Sequence, residues 1–177
     1  ALLETDQLVE KLSLEYPDYF WTPRITFGGL LDVPDENGET MEQGPTIALA
    51  VDFFSSGSRQ VDIWELKRRL TAGRVPEKPQ EVLLSTKLAE RLGLEPGEVV
   101  TFIGSTMHNA FTTYNFMVSG TFNLNMGAID KQMMLLDISG ARLALHMDNA
   151  ASEILGYSHD LYYNDDTAVA LRLAFNT

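Results

Sequence analysis

The chain has no cysteine. Disulfides, thiolate metal sites and thiol nucleophiles are therefore excluded together. The redox compartment stays open, because a chain without cysteine is at home in any. No stretch approaches the roughly 18 uncharged apolar residues that a membrane-spanning helix needs. Nor is there an initiating methionine or a signal peptide. The ends, Ala1-Leu-Leu-Glu and Ala-Phe-Asn-Thr177, carry no capping or terminating signal, and the expectation is a soluble fragment of something larger. Basic residues are scarce, 13 against 25 acidic ones, for a net charge of −12. Such a surface repels phosphate backbones and anionic lipid, which argues against nucleic-acid binding.

Chemistry-bearing patterns are missing as well. The three histidines, His108, His146 and His159, never stand at i, i+3 or i, i+4, so zinc has no local support. Aligning Gly38 of Asp35-Glu-Asn-Gly38 with the glycine of a calcium loop puts Val33 and Gly44 at ligand positions, and the match fails. No serine lies in Gly-x-Ser-x-Gly, and none has a lysine three residues on. Neither glycine-rich phosphate cradle is present. The pair Asp165-Asp166 is more simply a helix start than a general acid and base. The expectation is a non-enzymatic chain without metal or cofactor.

What is present is a core and a set of elements. Hydrophobic residues make up 45% of the 177, enough for one domain or two small lobes. Thr5 is a plausible N-cap for a helix to about Tyr16 with Leu8 and Leu12 on one face. Residues 20–25 and 27–33 read as extended runs, and Asn37-Gly38 as a hairpin turn. Residues 46–53 read as a buried strand, followed by a helix over 63–71 that Asp62 caps and Gly73 ends. Residues 75–80, with Pro76 and Pro79, suggest a boundary between lobes. Beyond the central segment, 152–157 reads as a strand and 165–175 as a helix.

The central segment says most. It runs Pro79-Gln-Glu-Val-Leu-Leu-Ser-Thr-Lys-Leu-Ala-Glu-Arg-Leu-Gly-Leu-Glu-Pro-Gly-Glu-Val-Val-Thr-Phe-Ile-Gly104, then Val118-Ser-Gly-Thr-Phe122, Asp130, and Met133-Met-Leu-Leu-Asp-Ile-Ser-Gly-Ala-Arg-Leu-Ala144. Its order is strand, short helix, turn, three strands, helix. Pro96 fixes φ for the first central position of a type II turn and Gly97 supplies positive φ at the second. The turn alone also occurs in unrelated small β-barrels. In this order, and with the strand 48–53, the helix 64–70 and Gly73 ahead of it, the pattern resembles the extracytoplasmic core domain of MacB-like and FtsX-like ABC transporter permeases. The resemblance covers roughly two-thirds of the chain.

That resemblance implies an α+β fold in two lobes. A porter-like α/β lobe is built from residues 1–78 and 146–177, and a β-rich lobe, 79–145, is inserted into it. It also implies a periplasmic or extracytoplasmic location in a cell-membrane protein. The partners are the chain's own transmembrane helices, a cytoplasmic ATPase on this chain or another, and an extracytoplasmic partner or cargo, in a homo- or heterodimeric transporter. Lipoprotein-releasing members carry a proline-containing hook between the strands matching 99–103 and 112–118. Here that connection is short and lacks proline, which fits export or efflux permeases better.

Two loops, 104–110 and 123–128, set Leu or Met amid polar residues, so Met107, Leu124 and Met126 are the candidate partner contacts. Two other classes remain. A small-ligand-binding β-barrel requires an apolar pocket within 79–145. An extracytoplasmic hydrolase requires His108, His146 or His159 beside a serine or carboxylate in a cleft.

Overall fold

The computed structural model describes residues 4–147 and 151–158. Helix α1 (Thr5–Glu15) leads into one long strand, β1 (Tyr19–Pro34), which turns back into β2 (Thr40–Val51). At the turn Gly38 takes a φ of 81°, and Asp35 Oδ1 accepts the N–H groups of Asn37 and Glu39 at 2.8 Å each. Two single helical turns follow, α2 (Gln60–Ile63) and α3 (Leu66–Arg69), and then the short strand β3 (Leu70–Gly73). The central segment gives β4 (Glu81–Ser85), α4 (Thr86–Leu92), β5 (Val99–Ser105) and β6 (Phe111–Phe122). A 3-10 turn (Gly127–Lys131), β7 (Met133–Asp137), α5 (Ile138–Leu145) and β8 (Glu153–Ser158) complete the described chain.

Among the described residues eight strands share one sheet whose path runs β2-β7-β4-β6-β5-β1-β8, and β1 pairs back onto β2. The strands β2, β7, β4, β6, β5 and β1 therefore close a barrel. The length of β1 makes this possible. One of its edges pairs with β2 from Arg24 to Pro34, while the other is divided between β8 (Tyr19 to Arg24) and β5 (Leu30 to Asp32). Strand β3 lies off the ring, on β6.

Strict alternation fills the barrel. Ile25 and Leu31, Ala48 and Ala50, Val82 and Leu84, Val100 and Phe102, Phe116 and Val118, and Met134 and Leu136 are buried in one cluster, two residues apart or a multiple of two on each strand. Phe102 takes the space beside Gly29 and Gly104, where any Cβ would strike its ring, and meets Phe27 edge-on at 5.3 Å. Residues of α4 and α5, among them Leu88, Leu92, Ala141 and Leu145, join the same cluster. A second cluster covers the outside of β2, β7 and β4: Leu49, Leu83 and Leu135 pack with Leu66, Phe122 and Leu124, and Trp64 lies against them.

The α+β class expected from the sequence is what the chain adopts. Strand β8 lies along β1, and Arg24 Nε donates to Glu153 Oε1 at 2.5 Å. The expected division at 78/79 and 145/146, however, follows no break in the sheet. Strand β7 pairs in parallel with β2, and β5 pairs with β1. Residues 75–80 are a docked connection rather than a spacer. Glu81, buried at its end, accepts Arg74 Nη1 at 2.9 Å, Arg74 Nη2 at 2.5 Å and the N–H groups of Glu77 and Lys78 at 2.8 and 3.0 Å. The Gln80 carbonyl accepts from Met117 N–H, and Gly140 of α5 sits so close to the Pro79 carbonyl that no Cβ fits.

Three local expectations are corrected. Thr5 is the buried first residue of α1 rather than its cap, and Glu4, at φ 53°, precedes it without a side-chain cap bond. Residues 20–33 form a single strand. The helix expected over 63–71 is interrupted by Glu65 at φ 51°, and it ends at Arg69 because Leu70 to Gly73 are drawn into pairing with β6. The expected helix over 165–175 lies outside the described residues.

Candidate partner-contact surfaces

The three residues singled out for partner contact occupy three different environments. The loop after β6 is tied at both ends. Arg69 Nη1 donates to the carbonyls of Leu124 at 2.9 Å and Asn123 at 3.4 Å, and Arg69 O accepts from Asn123 N–H at 3.0 Å. Farther along, Asp130 Oδ2 accepts Met126 N–H at 2.9 Å. Asn125 and Gly127 both take left-handed backbone, at φ 57° and 70°, which swings Met126 outward between them. Leu124 is 5% exposed and belongs to the second core cluster, so the exposed tip expected there is corrected to an anchor. Met126 is 57% exposed.

Beside Met126 lies an apolar cleft of about 320 Å³ walled by Ile63, Trp64, Tyr157 and Arg24. Trp64 is fixed there by a 3.2 Å bond from its Nε1 to Gln60 Oε1 one turn earlier. Arg24 is held to Glu153, so this wall carries a paired charge. Met126 thus brings a flexible, polarizable side chain to a cleft lined by two aromatic residues, Trp64 and Tyr157.

Met107 lies elsewhere. Its loop, 106–110, is a folded turn: Thr106 Oγ1 accepts the N–H groups of His108 and Ala110 at 3.2 Å each, and Thr106 N–H donates to Ala110 O at 2.7 Å. Met107 N–H then donates to Leu145 O at 3.2 Å, docking the turn on the end of α5. Its side chain is half-buried against the barrel core. His108 and His146 are both exposed, and neither lines a groove described for the molecule; His159 lies outside the described residues. Among the described residues no three His, Cys, Asp or Glu side chains group as metal ligands, and no helix is long and apolar enough to cross a membrane.

The residue that sequence reasoning missed is Asp137. It ends β7 and caps α5, its carboxylate accepting Ser139 N–H at 2.9 Å and Phe53 N–H at 2.7 Å. An acid followed two residues later by Ser at a strand-to-helix junction is a capping signal, and it was present.

No protein-family model matches the sequence, and comparison with curated proteins gives no match. Solved structures do match. The periplasmic region of MacB from Actinobacillus actinomycetemcomitans superposes with a TM-score of 0.61 at 15% identity, over 99% of this chain and 73% of that one. The extracellular domain of the noncanonic ABC-type transporter YknZ from Gram-positive bacteria gives 0.60 at 14% identity, over 97% and 83%. The chain has the fold of a MacB-like extracytoplasmic domain. In this MacB-like fold the connection between β5 and β6 is the five-residue turn 106–110, and the barrel is filled rather than hollow.

Proposed function

We propose that this chain is the extracytoplasmic domain of an ABC transporter permease. It carries the ATP-driven movement of transmembrane helices to a partner or cargo outside the membrane. The observation that supports this reading is the fold, shared over nearly the whole chain with the extracellular domain of an ABC-type transporter. Transmission of movement needs a stiff body with defined attachment points. A closed barrel packed through its axis and plugged by helices is such a body. ATP binding and hydrolysis belong to a cytoplasmic ATPase, on this chain or another. Met126 and the Trp64 cleft are the partner-contact surface, while Leu124 anchors it from beneath. The compact turn at 106–110 leaves no extended hook for a soluble chaperone, which favours an export or efflux permease.

The test uses the absence of cysteine. Ser56→Cys, on an exposed loop, is introduced into the membrane-embedded permease with other cysteines removed. A membrane-impermeant maleimide should label it in cells whose inner membrane is intact. Labelling only after that membrane is permeabilised would place the domain in the cytoplasm and end the proposal.

A further inference from the structure

A groove of about 380 Å³ lies between α1, the start of α5 and the loop that follows β2, and it shares no residue with the Trp64 cleft. Its apolar part is made by Phe20 and Trp21 of β1 and Ile138 of α5. Trp21 is fixed in place. Its Nε1 donates to Tyr16 O at 3.2 Å, and Gly156 of β8 leaves its ring room that a Cβ would take. Three carboxylates line the same groove, against a single cation, Arg142. Asp6 and Glu10 stand one turn apart on α1, and Asp52 follows the end of β2. The loop that carries Asp52 is folded. Asp52 Oδ1 accepts Ser55 N–H at 3.0 Å, Ser58 Oγ donates to Asp52 O, and Ser58 N–H donates to Ser55 O at 2.9 Å. Neither Asp52 nor the exposed Glu10 is in an ion pair among the described residues.

We propose that this groove binds an arginine side chain of a protein partner. Charge complementarity selects a cation: three carboxylates less one guanidinium leave the lining at −2, in a chain of −12. An anion has no place to settle, because the N-terminal end of α5 is already taken by Asp137, whose carboxylate accepts Ser139 N–H. The geometry does not suit a metal ion either. The acids are spread around the groove, and among the described residues no three group as ligands. The cation must therefore carry an apolar stem that lies along Phe20, Trp21 and Ile138 while its charged end meets the carboxylates. Arginine meets that description better than lysine. Its planar, weakly hydrated guanidinium packs on aromatic rings and presents a fork of donors to carboxylates. The site does not depend on the transporter reading and is tested apart from it.

The experiment titrates the peptide acetyl-Ala-Arg-Ala-amide, to ~10 mM, into the isotope-labelled 177-residue chain and follows its NMR spectrum. The same peptide with citrulline in place of arginine is the uncharged control. The Trp21 indole N–H and the amides of Ser55 to Ser58 should shift saturably, with a dissociation constant in the millimolar range or tighter. Added salt should weaken the binding, and the citrulline peptide should give no saturable shift. Glu10→Gln and, separately, Asp52→Asn, which keeps the oxygen that holds Ser55, should each weaken it about two- to fivefold. The double variant Glu36→Gln with Glu39→Gln, on the exposed turn at the other end of β1, should leave it unaltered. Absence of a saturable shift, an equal response to the citrulline peptide, or groove variants that bind as the wild type does would each overturn the proposal. So would an equal loss in the turn variant, which would make the attraction that of the net charge alone.

Discussion

Replacing Glu81 tests whether the proline-containing connection is part of the folded body. Glu81 is 2% exposed and accepts four hydrogen bonds, two from Arg74 and two from the N–H groups of Glu77 and Lys78. Hydrogen bonds to a charged group contribute about 1.5–3 kcal/mol each when lost singly. They are not additive here, because the backbone groups and the guanidinium reach water once released. The 3–5 kcal/mol typical of a broken buried pair is therefore an upper bound of roughly that size. Glu81→Gln, which keeps an acceptor oxygen, should cost about 2 kcal/mol, and Glu81→Ala about 3 kcal/mol. The hydrogen bond from Arg74 is the largest influence holding the Glu81 carboxyl below its usual range, with the backbone bonds and the Arg74 charge acting in the same direction. A depressed folded pKa means the contribution is fully present above the unfolded value, about 4.3, and is lost as pH falls through the folded one. The cost of Glu81→Gln should thus hold at neutral pH and shrink below about pH 4. Urea unfolding followed by Trp21 and Trp64 fluorescence, at both pH values, measures it. A neutral Glu81→Gln at pH 7, or a cost that does not shrink in acid, would refute the reasoning.

Other variants separate packing from strain and contact. Gly97 has φ 98° and open space around its missing Cβ, so Gly97→Val should cost about 1–3 kcal/mol in denaturant unfolding from backbone strain alone. Phe116→Ala, in the barrel interior, should cost about 3–5 kcal/mol by the same measurement. Leu124→Asp should lower melting temperature sharply, whereas Met126→Asp should leave it unchanged and reduce transport by the intact permease. Normal stability with normal transport in Met126→Asp would remove Met126 from the contact surface.

Local signals carried much of this fold. The Asn37-Gly38 and Pro96-Gly97 turns were legible because each needs a backbone conformation that few residues tolerate, and both glycines have the positive φ expected. The order from β4 to α5 was legible because most elements there are short and bounded by a turn or cap. Closure of the barrel was not. Pairing Ile47 with Met133, or Leu30 with Ile103, joins residues more than seventy positions apart, and nothing in either strand names its partner. The same long-range pairing drew Leu70 to Gly73 out of a helical pattern. Leu124 misled for a related reason. An apolar residue between two asparagines looks exposed until Arg69, fifty-five positions earlier, is seen to hold its carbonyl.

Whether this domain moves with the ATP cycle is the most direct test of the account. A donor fluorophore on Ser56→Cys and an acceptor in the outer leaflet report the distance from the domain to the membrane in the reconstituted transporter. The account predicts that transfer efficiency switches between ATP-bound and ADP-bound states, and that a hydrolysis-deficient ATPase traps one of them. Identical transfer in both states, in a transporter that still moves its cargo, would contradict it.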